Sequence, residues 1–143
     1  MAALDIRPLS DSDRPAWEPH WAGYLTFYRT SVPPEVTDTT WARLMDPAEP
    51  MHALGCFDGG SLIGIVHYIF HRSTWTIGNY CYLQDLFTAE AARGRGAGRA
   101  LIEAVLGRFT VAAAAIASYD PSCDRDGRVR DIALQILGRI AAA

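Results

Sequence analysis

The feature that most constrains this chain is a strand-like segment that leads through a glycine- and arginine-rich loop into a helix-like segment. YCYLQDLFT, residues 80–88, is mostly apolar and typical of a strand, and ARGRGAGRAL follows at residues 92–101. From Ala97 onward, apolar residues recur at helical spacing. The first amides of a helix have no internal partners and carry partial positive charge. The sequence therefore predicts an anion site built from backbone amides at this junction.

The glycines and arginines of this loop favour a phosphate ligand. Glycine lets the backbone approach a ligand closely, and arginine adds positive charge. A P-loop is excluded because Arg99 and Ala100 follow Gly98, where Lys and Ser or Thr are required. A dinucleotide fingerprint is excluded because Arg99 or Leu101 occupies the place of its last glycine. The pattern that fits is R-x-x-G-x-G, from Arg93 to Gly98.

The rest of the chain predicts an α+β domain in which antiparallel strands precede this unit. An aromatic stripe at helical spacing, which is typical of a core, marks the first helix. The predicted order begins with a strand in ALDIRPLS, a helix from Asp11 or Ser12 to about Tyr28, and a second helix in SVPPEVTDTTWARLMDP. Two strands follow, HALGCFD and SLIGIVHYIFHRS, joined by a tight turn at DGG. A further strand, NYCYLQDLFT, then leads to a helix over 97–108. Beyond it, FTVAAAAIASY fits a strand or a helix, DPSCDRDGRVRD fits a loop, and RDIALQILGRIAAA fits a last amphipathic helix.

Composition narrows the class of protein. The chain has 143 residues, half of them apolar, which suits a single domain spanning 1–143. A formal charge of −3 gives no basic field for nucleic acid. Cys56, Cys81 and Cys123 are far apart, which indicates buried thiols in a reducing compartment and no metal site. No apolar run reaches the ~18 residues that span a bilayer, and no secretory signal is recognisable, so we expect a cytoplasmic protein without a membrane partner.

The strand, loop and following helix resemble the GNAT (GCN5-related) N-acetyltransferases. YLQDLFT followed by AEAARGRGAGRALIEAV is similar to the fourth strand, pyrophosphate loop and third helix of that family. GYLTFYR and TWARLMDP resemble a subgroup related to yeast histone and polyamine acetyltransferase homologues. The resemblance implies a GNAT-type fold, a mostly antiparallel twisted sheet flanked by helices, matched over 1–107 and diverged over 108–143.

The resemblance also implies the use of acetyl-CoA, which would lie between the fourth and fifth strands. The backbone of Leu86, Phe87 and Thr88 would pair with the pantetheine arm as an added strand does. The backbone N–H near Leu86 would polarise the thioester carbonyl and stabilise the oxyanion. The amides that would hold the pyrophosphate belong to Arg93, Gly94, Arg95, Gly96, Ala97, Gly98 and Arg99.

An acceptor amine must lose a proton before it attacks, because a free ammonium group has a pKa near ~10. In polyamine-acetylating relatives, a glutamate in LED supplies the base, whereas this chain has LQD with Gln84 at that position. Asp85 is adjacent but faces the opposite side of a regular strand unless a bulge intervenes. It either handles protons and substrate charge or holds the structure together.

Four residues are candidates for contact with the acceptor. His67 and His71 share a face of their strand, and His67 either lines the cleft and relays protons or is a packed strand residue. Tyr28 and Arg29 follow the first helix, and the segment joining the first two helices usually borders the acceptor site in the family. Gln84 completes the set of expected substrate contacts.

The C-terminal part departs from the family pattern. Relatives carry an asparagine after the fifth strand and a tyrosine that protonates the departing thiolate, but no asparagine follows Asn79 and the only later tyrosine is Tyr119. Either these residues are diverged or frame-shifted, or a shortened protein completes its site through a partner subunit. A shortened sheet would leave an edge that favours a homodimer. The leading prediction is an N-acetyltransferase acting on a primary amine of a small molecule or basic peptide; the alternative is a CoA-binding or regulatory module without turnover.

Overall fold

A computed structural model describes residues 3–115, 122, 124 and 126–141 of the protein. It contains four strands, β1 (Asp5–Pro8), β2 (Met51–Asp58), β3 (Ser61–His71) and β4 (Tyr80–Thr88), and four helices, α1 (Arg14–Phe27), α2 (Pro34–Met45), α3 (Ala97–Leu106) and α4 (Arg128–Ala141), among the described residues. The predicted order of elements is confirmed through α3. None of the helices in these ranges combines the length and apolarity that crossing a membrane requires.

The four strands form one antiparallel sheet in the order β1-β2-β3-β4. β2 and β3 are joined by the predicted tight turn, where Gly59 and Gly60 both have positive φ (55° and 84°). Only glycine adopts such angles without strain, which is why DGG stands at this turn. The predicted α+β class with an antiparallel sheet is therefore confirmed.

One face of the sheet carries the main core. Alternate residues of β2 and β3, such as Ala53 and Ile65, pack against the aromatic side chains of α1 and α2. Trp17 is fully buried and its ring lies 4.8 Å from that of Trp41. The predicted aromatic stripe of α1 is thus largely core, although Tyr28 at its end is 61% exposed.

The start of α1 is fixed to β1 by an acidic side chain. A 3-10 turn at Asp11–Asp13 precedes the helix, so the helix proper begins later than the predicted Asp11 or Ser12. Asp13 accepts two hydrogen bonds of 2.8 Å from the Arg7 guanidinium and further bonds from the amide and hydroxyl of Ser10. The guanidinium pair in particular holds the pKa of Asp13 well below its usual range.

The strand β4 contains a bulge at Gln84. His67 of β3 lies opposite Asp85, while the next residue, Tyr68, lies opposite Leu83, so Gln84 has no partner. Leu83 and Asp85 would share a face in a regular strand, but the bulge places them on opposite faces. Asp85 therefore lies on the face that packs against α1.

By contacts, the chain divides into two compact units, Met1–Ile102 and Glu103–Ala143. The second contains α4, which confirms the predicted last helix; Asp124 accepts hydrogen bonds from the amides of Val129 and Arg130 in its first turn. Residues 109–115, the described part of FTVAAAAIASY, form neither a strand nor a helix. The helix predicted over 97–108 ends at Leu106.

The cysteines are thiols where they are described. Cys56 is fully buried, as predicted, whereas Cys81 is only half-buried. Burial raises the pKa of both thiols. Cys123 lies outside the described residues.

Candidate active site

The outer edge of β4 offers unpaired backbone groups. The Ala89 amide donates to the Ile63 carbonyl across the ladder (3.0 Å). Because bonded residues alternate along an antiparallel ladder, Phe87 and Asp85 direct their backbone groups toward β3, and Leu86 and Thr88 direct theirs away from it. No strand in the described ranges pairs with this outer edge. The edge can therefore accept an extended ligand as a further strand.

The glycine-rich loop leads from this edge into α3. Gly94 and Gly96 have positive φ (77° and 86°), and a Cβ added to either would meet no atom within 4 Å. The first α3 hydrogen bond runs from the Ala100 amide to the Gly96 carbonyl (2.9 Å). The amides of Ala97, Gly98 and Arg99 precede it in the first turn of the helix, where backbone amides have no intrahelical acceptor. The loop thus combines open space with backbone donors.

The arginine side chains of the loop also have a structural use. Arg95 forms an ion pair with Asp58 at the end of β2, which anchors the loop to the β2–β3 turn. Arg93 donates from Nε to the Thr88 carbonyl at 3.4 Å. Because these two side chains are engaged within the protein, we expect the backbone amides of the loop to contribute more to phosphate binding than its arginine side chains.

These features fit acetyl-CoA. A pyrophosphate needs several amide donors beside open space; Gly94 and Gly96 have open surroundings, and the amides of the first turn of α3 follow them. A pantetheine arm needs an extended backbone edge, which Leu86 and Thr88 provide. Gly98 packs close to the Thr88 hydroxyl, where an added Cβ would lie 3.6 Å away, so loop and edge are continuous.

A buried hydrogen-bonded chain lies beneath the bulge. The Trp17 indole N–H donates to Nε2 of His67 (2.9 Å), and Nδ1 of His67 lies 2.9 Å from Oδ2 of Asp85. His67 is 3% exposed and Asp85 is 7% exposed. Both residues are therefore packed, as one of the predicted alternatives has it for each, and they form one polar cluster beside the outer edge of β4. A part for either in proton transfer stays a prediction.

Tyr24 covers this cluster from α1. Burial raises the pKa of Tyr24 far above its ordinary value, and a hydrogen bond to the Asp85 carboxylate raises it further. Its ring stacks on Trp21 (5.5 Å) and contacts Tyr28 (5.0 Å). Tyr24 therefore links the buried carboxylate to the exposed end of α1.

The other predicted site residues lie at the surface around this cluster. Gln84 is exposed at the bulge, and Tyr28 and Arg29 are exposed where α1 ends. Arg29 adopts φ 55°, which is uncommon for a residue with a side chain. Tyr119, predicted to protonate the departing thiolate, lies outside the described residues.

Sequence reasoning missed Trp17 as a functional partner. Trp17 and His67 are 50 positions apart, and His67 and Asp85 are 18 apart, so no local motif connects them. The one available signal was the pairing of the β3 and β4 strands. That pairing aligns His67 with Asp85 only if a bulge is placed at Gln84.

Comparison with known sequences identifies similar proteins. The family model described as "Acetyltransferase (GNAT) family" matches residues 11–117. D-amino-acid N-acetyltransferase HPA3 of Saccharomyces cerevisiae is 38% identical over 105 residues, 72% of this chain and 65% of the relative. The chain thus spans just under two thirds of the length of that curated relative.

Solved structures share the fold at low identity. A possible acetyltransferase from Clostridium difficile 630 superimposes with a TM-score of 0.72 at 11% identity, covering 92% of this chain and 90% of the other. AAC(6')-Iy, solved in complex with a bisubstrate analog, CoA-S-monomethyl-acetylneamine, gives 0.68 at 14% identity, covering 90% and 89%.

Proposed function

Because the chain belongs to the GNAT acetyltransferase family, we propose that it transfers the acetyl group of acetyl-CoA to a primary amine. The observation that carries this proposal is the continuity of the open β4 edge with the glycine loop. A short 3-10 turn, Glu90–Ala92, separates the two in sequence, but Gly98 of the loop–helix junction packs beside Thr88, so the outward groups of Leu86 and Thr88 lie next to this segment. One long ligand with an extended arm and a pyrophosphate matches both parts.

Each part of the site has a role in this reaction. The outward backbone groups of Leu86 and Thr88 bind the pantetheine arm, and the amides of residues 94–99 hold the pyrophosphate. The Arg93 amide, which the sequence also predicts as a contact, donates instead to the Glu90 carbonyl (3.2 Å). Acetyl-CoA supplies the activated acetyl group. The outward amide of Leu86 donates a hydrogen bond to the carbonyl oxygen as negative charge develops there, an effect worth roughly 3–4 kcal/mol in other enzymes.

We propose a small-molecule amine as the acceptor, with amino acids as the first class to test. The support is the name of the yeast relative, which is a D-amino-acid N-acetyltransferase. Arg29 is exposed directly after Tyr28, whose ring contacts that of Tyr24, and Tyr24 forms a hydrogen bond with Asp85. A guanidinium at the end of α1 suits an acceptor that carries a carboxylate, and Asp85 suits an ammonium group.

The experiment is a thiol-release assay with acetyl-CoA and a panel of D- and L-amino acids, polyamines, aminoglycosides and basic peptides. The sequence contains no lysine, so self-acetylation of side-chain amines cannot contribute to the signal. We expect thiol release with at least one amine and an acetylated product of the matching mass. Tight CoA binding without release across the panel would contradict the enzyme and favour the non-catalytic CoA-binding module.

A further inference from the structure

Asp85 is a buried carboxylate whose described partners are all uncharged donors or a histidine. Nδ1 of His67 lies 2.9 Å from its Oδ2, and the Tyr24 hydroxyl also bonds to it. The ion pairs within the described ranges bring no arginine to it. A buried carboxylate without a cation is costly, and a cationic ligand would relieve that cost. Asp85 is directly followed by Leu86, whose amide faces the ligand edge.

The hydrogen bonds fix the proton on His67. An indole nitrogen can only donate, so Nε2 of His67 must accept from Trp17 and carries no proton. The ring proton therefore lies on Nδ1 and points at Asp85. A second proton on His67 would place two N–H groups against each other at 2.9 Å. His67 cannot accept a proton without breaking the bond to Trp17.

The other polar groups at the bulge are unsuited to take a proton. Gln84 carries an amide, which is not a base at neutral pH. Tyr24 stays a phenol, because burial and the carboxylate beside it raise its pKa. Among the described groups of this cluster, Asp85 is therefore the one left that can accept a proton.

We propose that Asp85 takes the proton of the acceptor amine, and that Trp17 and His67 are positioning residues that hold it as a proton acceptor. In this step an N–H bond of the substrate ammonium breaks, the proton goes to a carboxylate oxygen of Asp85, and nitrogen keeps the electron pair with which it attacks. His67 keeps its proton on Nδ1, donates it in a hydrogen bond to Asp85 throughout, and neither gains nor loses a proton in this step. The inference rests on the proposed acetyl transfer.

The tautomer is measured directly by nuclear magnetic resonance on protein labelled with ¹⁵N-histidine. The chain has four histidines, and a His67→Gln variant assigns the signal of His67. We expect His67 to carry its proton on Nδ1 at pH 7.5, with Nε2 unprotonated. A proton on Nε2 would overturn the proposal whatever the activity of the enzyme.

Substitutions at His67 then distinguish two roles for this residue: a hydrogen-bond donor that keeps its proton, and a base that takes up and releases a proton. Glutamine keeps one donor and one acceptor but cannot carry a proton, whereas leucine removes both bonds. We expect His67→Gln to keep kcat/KM within about fivefold of wild type and His67→Leu to lose about ten- to hundredfold, the size of a lost hydrogen bond to a charged group. If glutamine is as damaging as leucine in folded protein, His67 carries a proton and the proposal fails.

A pair of tryptophans supplies the matched control. Trp21 also packs against His67 (5.6 Å), but its indole N–H has no hydrogen-bond partner among the described residues. Trp17→Phe and Trp21→Phe remove the same atoms, and only the first removes a bond to His67. We expect Trp17→Phe to lower kcat more than Trp21→Phe at equal thermal stability, with KM for acetyl-CoA unchanged. Equal effects on kcat would remove Trp17 from the proposal.

Asp85→Asn tests the central residue. We expect kcat to fall by about a hundredfold or more, as for loss of a general base, while calorimetry shows unchanged CoA affinity. An active Asp85→Asn enzyme overturns the inference but leaves acetyl transfer standing. A wild-type protein that acetylates nothing overturns both acetyl transfer and the role of Asp85, and the tautomer measurement still decides the state of His67.

Discussion

At the scale of single residues, the candidate site depends on backbone conformation as much as on side chains. Gly94 and Gly96 turn the loop at positive φ, and the space beside them is open. A side chain there would strain the backbone and occupy the volume assigned to phosphate. The same loop keeps Ala97 almost fully buried, which fixes the point where α3 begins.

Gly96→Asp should abolish CoA binding, because it adds bulk, strain and negative charge at the pyrophosphate. Gly60→Asp is the matched control, since Gly60 has nearly the same φ (84° against 86°) and equally open surroundings. Isothermal titration calorimetry should show no detectable CoA binding for the first variant and near wild-type affinity for the second. Unchanged affinity in Gly96→Asp would mean that the pyrophosphate lies elsewhere.

Arg29→Gln should separate acceptors that carry a carboxylate from those that do not. If the guanidinium pairs with an amino-acid carboxylate, KM for that acceptor should rise about tenfold, the size of a charged hydrogen bond. KM for an amine without a carboxylate should stay the same in steady-state kinetics. A uniform rise for both acceptors would assign Arg29 a purely structural role.

At the scale of elements, close packing between α1 and β4 sets the position of the ligand edge. Gly23 of α1 faces Phe87, and a Cβ there would approach the ring to 2.6 Å. Phe87 stands between the two residues whose backbone groups face outward, Leu86 and Thr88. The packing of α1 against Phe87 thus helps to position the outer edge of β4.

Gly23→Ala should destabilise the protein and weaken acetyl-CoA binding. Alanine favours a helix by up to about 1 kcal/mol, but overpacking typically costs about 1–3 kcal/mol, so we expect a net loss of about 1 kcal/mol. Gly138→Ala in α4 is the control, because its Cβ would meet no atom within 4 Å and should stabilise the helix. Urea unfolding measures the change in the free energy of unfolding for both variants, which should be a loss for Gly23→Ala and a gain for Gly138→Ala. A stabilised Gly23→Ala would contradict the close contact with Phe87.

Asp13→Asn should reduce stability at neutral pH and remove part of the sensitivity to acid. The pKa of Asp13 is lowered by Arg7 in the folded state, so its contribution is present above the ordinary carboxyl pKa and is lost as pH falls below it. We expect a loss of about 1–2 kcal/mol at pH 7, discounted because Arg7 is partly exposed, and a smaller difference near pH 3. Asp11→Asn, an exposed neighbour, should change little in the same urea titrations, and a difference that is independent of pH would rule out this ion pair.

The order of elements could be predicted because strong local signals mark each one. The DGG turn and the prolines around α2 placed boundaries within a few residues. The strand ladder could not be predicted in the same way, since the bulge at Gln84 is set by pairing with β3 and by packing on α1. For the same reason, the aromatic stripe of α1 indicates a core and nothing more, and the bond from Trp17 to His67 is visible only in the structure. The alanine-rich segment after α3 has no hydrophobic periodicity that would distinguish a strand from a helix, and its described part forms neither.

At the scale of the whole molecule, every described residue assigned to the site lies in the unit Met1–Ile102. This unit holds the complete four-stranded sheet and both helices of the aromatic core. The family model extends beyond this unit, to residue 117, so the divergence predicted from residue 108 stays a prediction. The predicted thiolate acid, Tyr119, lies outside the described residues.

The predicted homodimer can be tested through competition for the β4 edge. The outward groups of Leu86 and Thr88 can pair with a ligand or with a second copy, but not with both. We expect a dimer that forms through this edge to dissociate when CoA is added, which sedimentation velocity measures at fixed protein concentration. A dimer that persists with CoA bound would show that subunits associate through another surface.

The bulge at Gln84 means that β4 is one residue longer than its pairing with β3 requires. A chain lacking this residue would keep every cross-strand partner, and Asp85 would still oppose His67. What it would lose is the local bend, and with it the angle at which the outer edge departs from the sheet. The length of β4, counted in single residues, thus helps to set the direction of the edge that is proposed to bind acetyl-CoA.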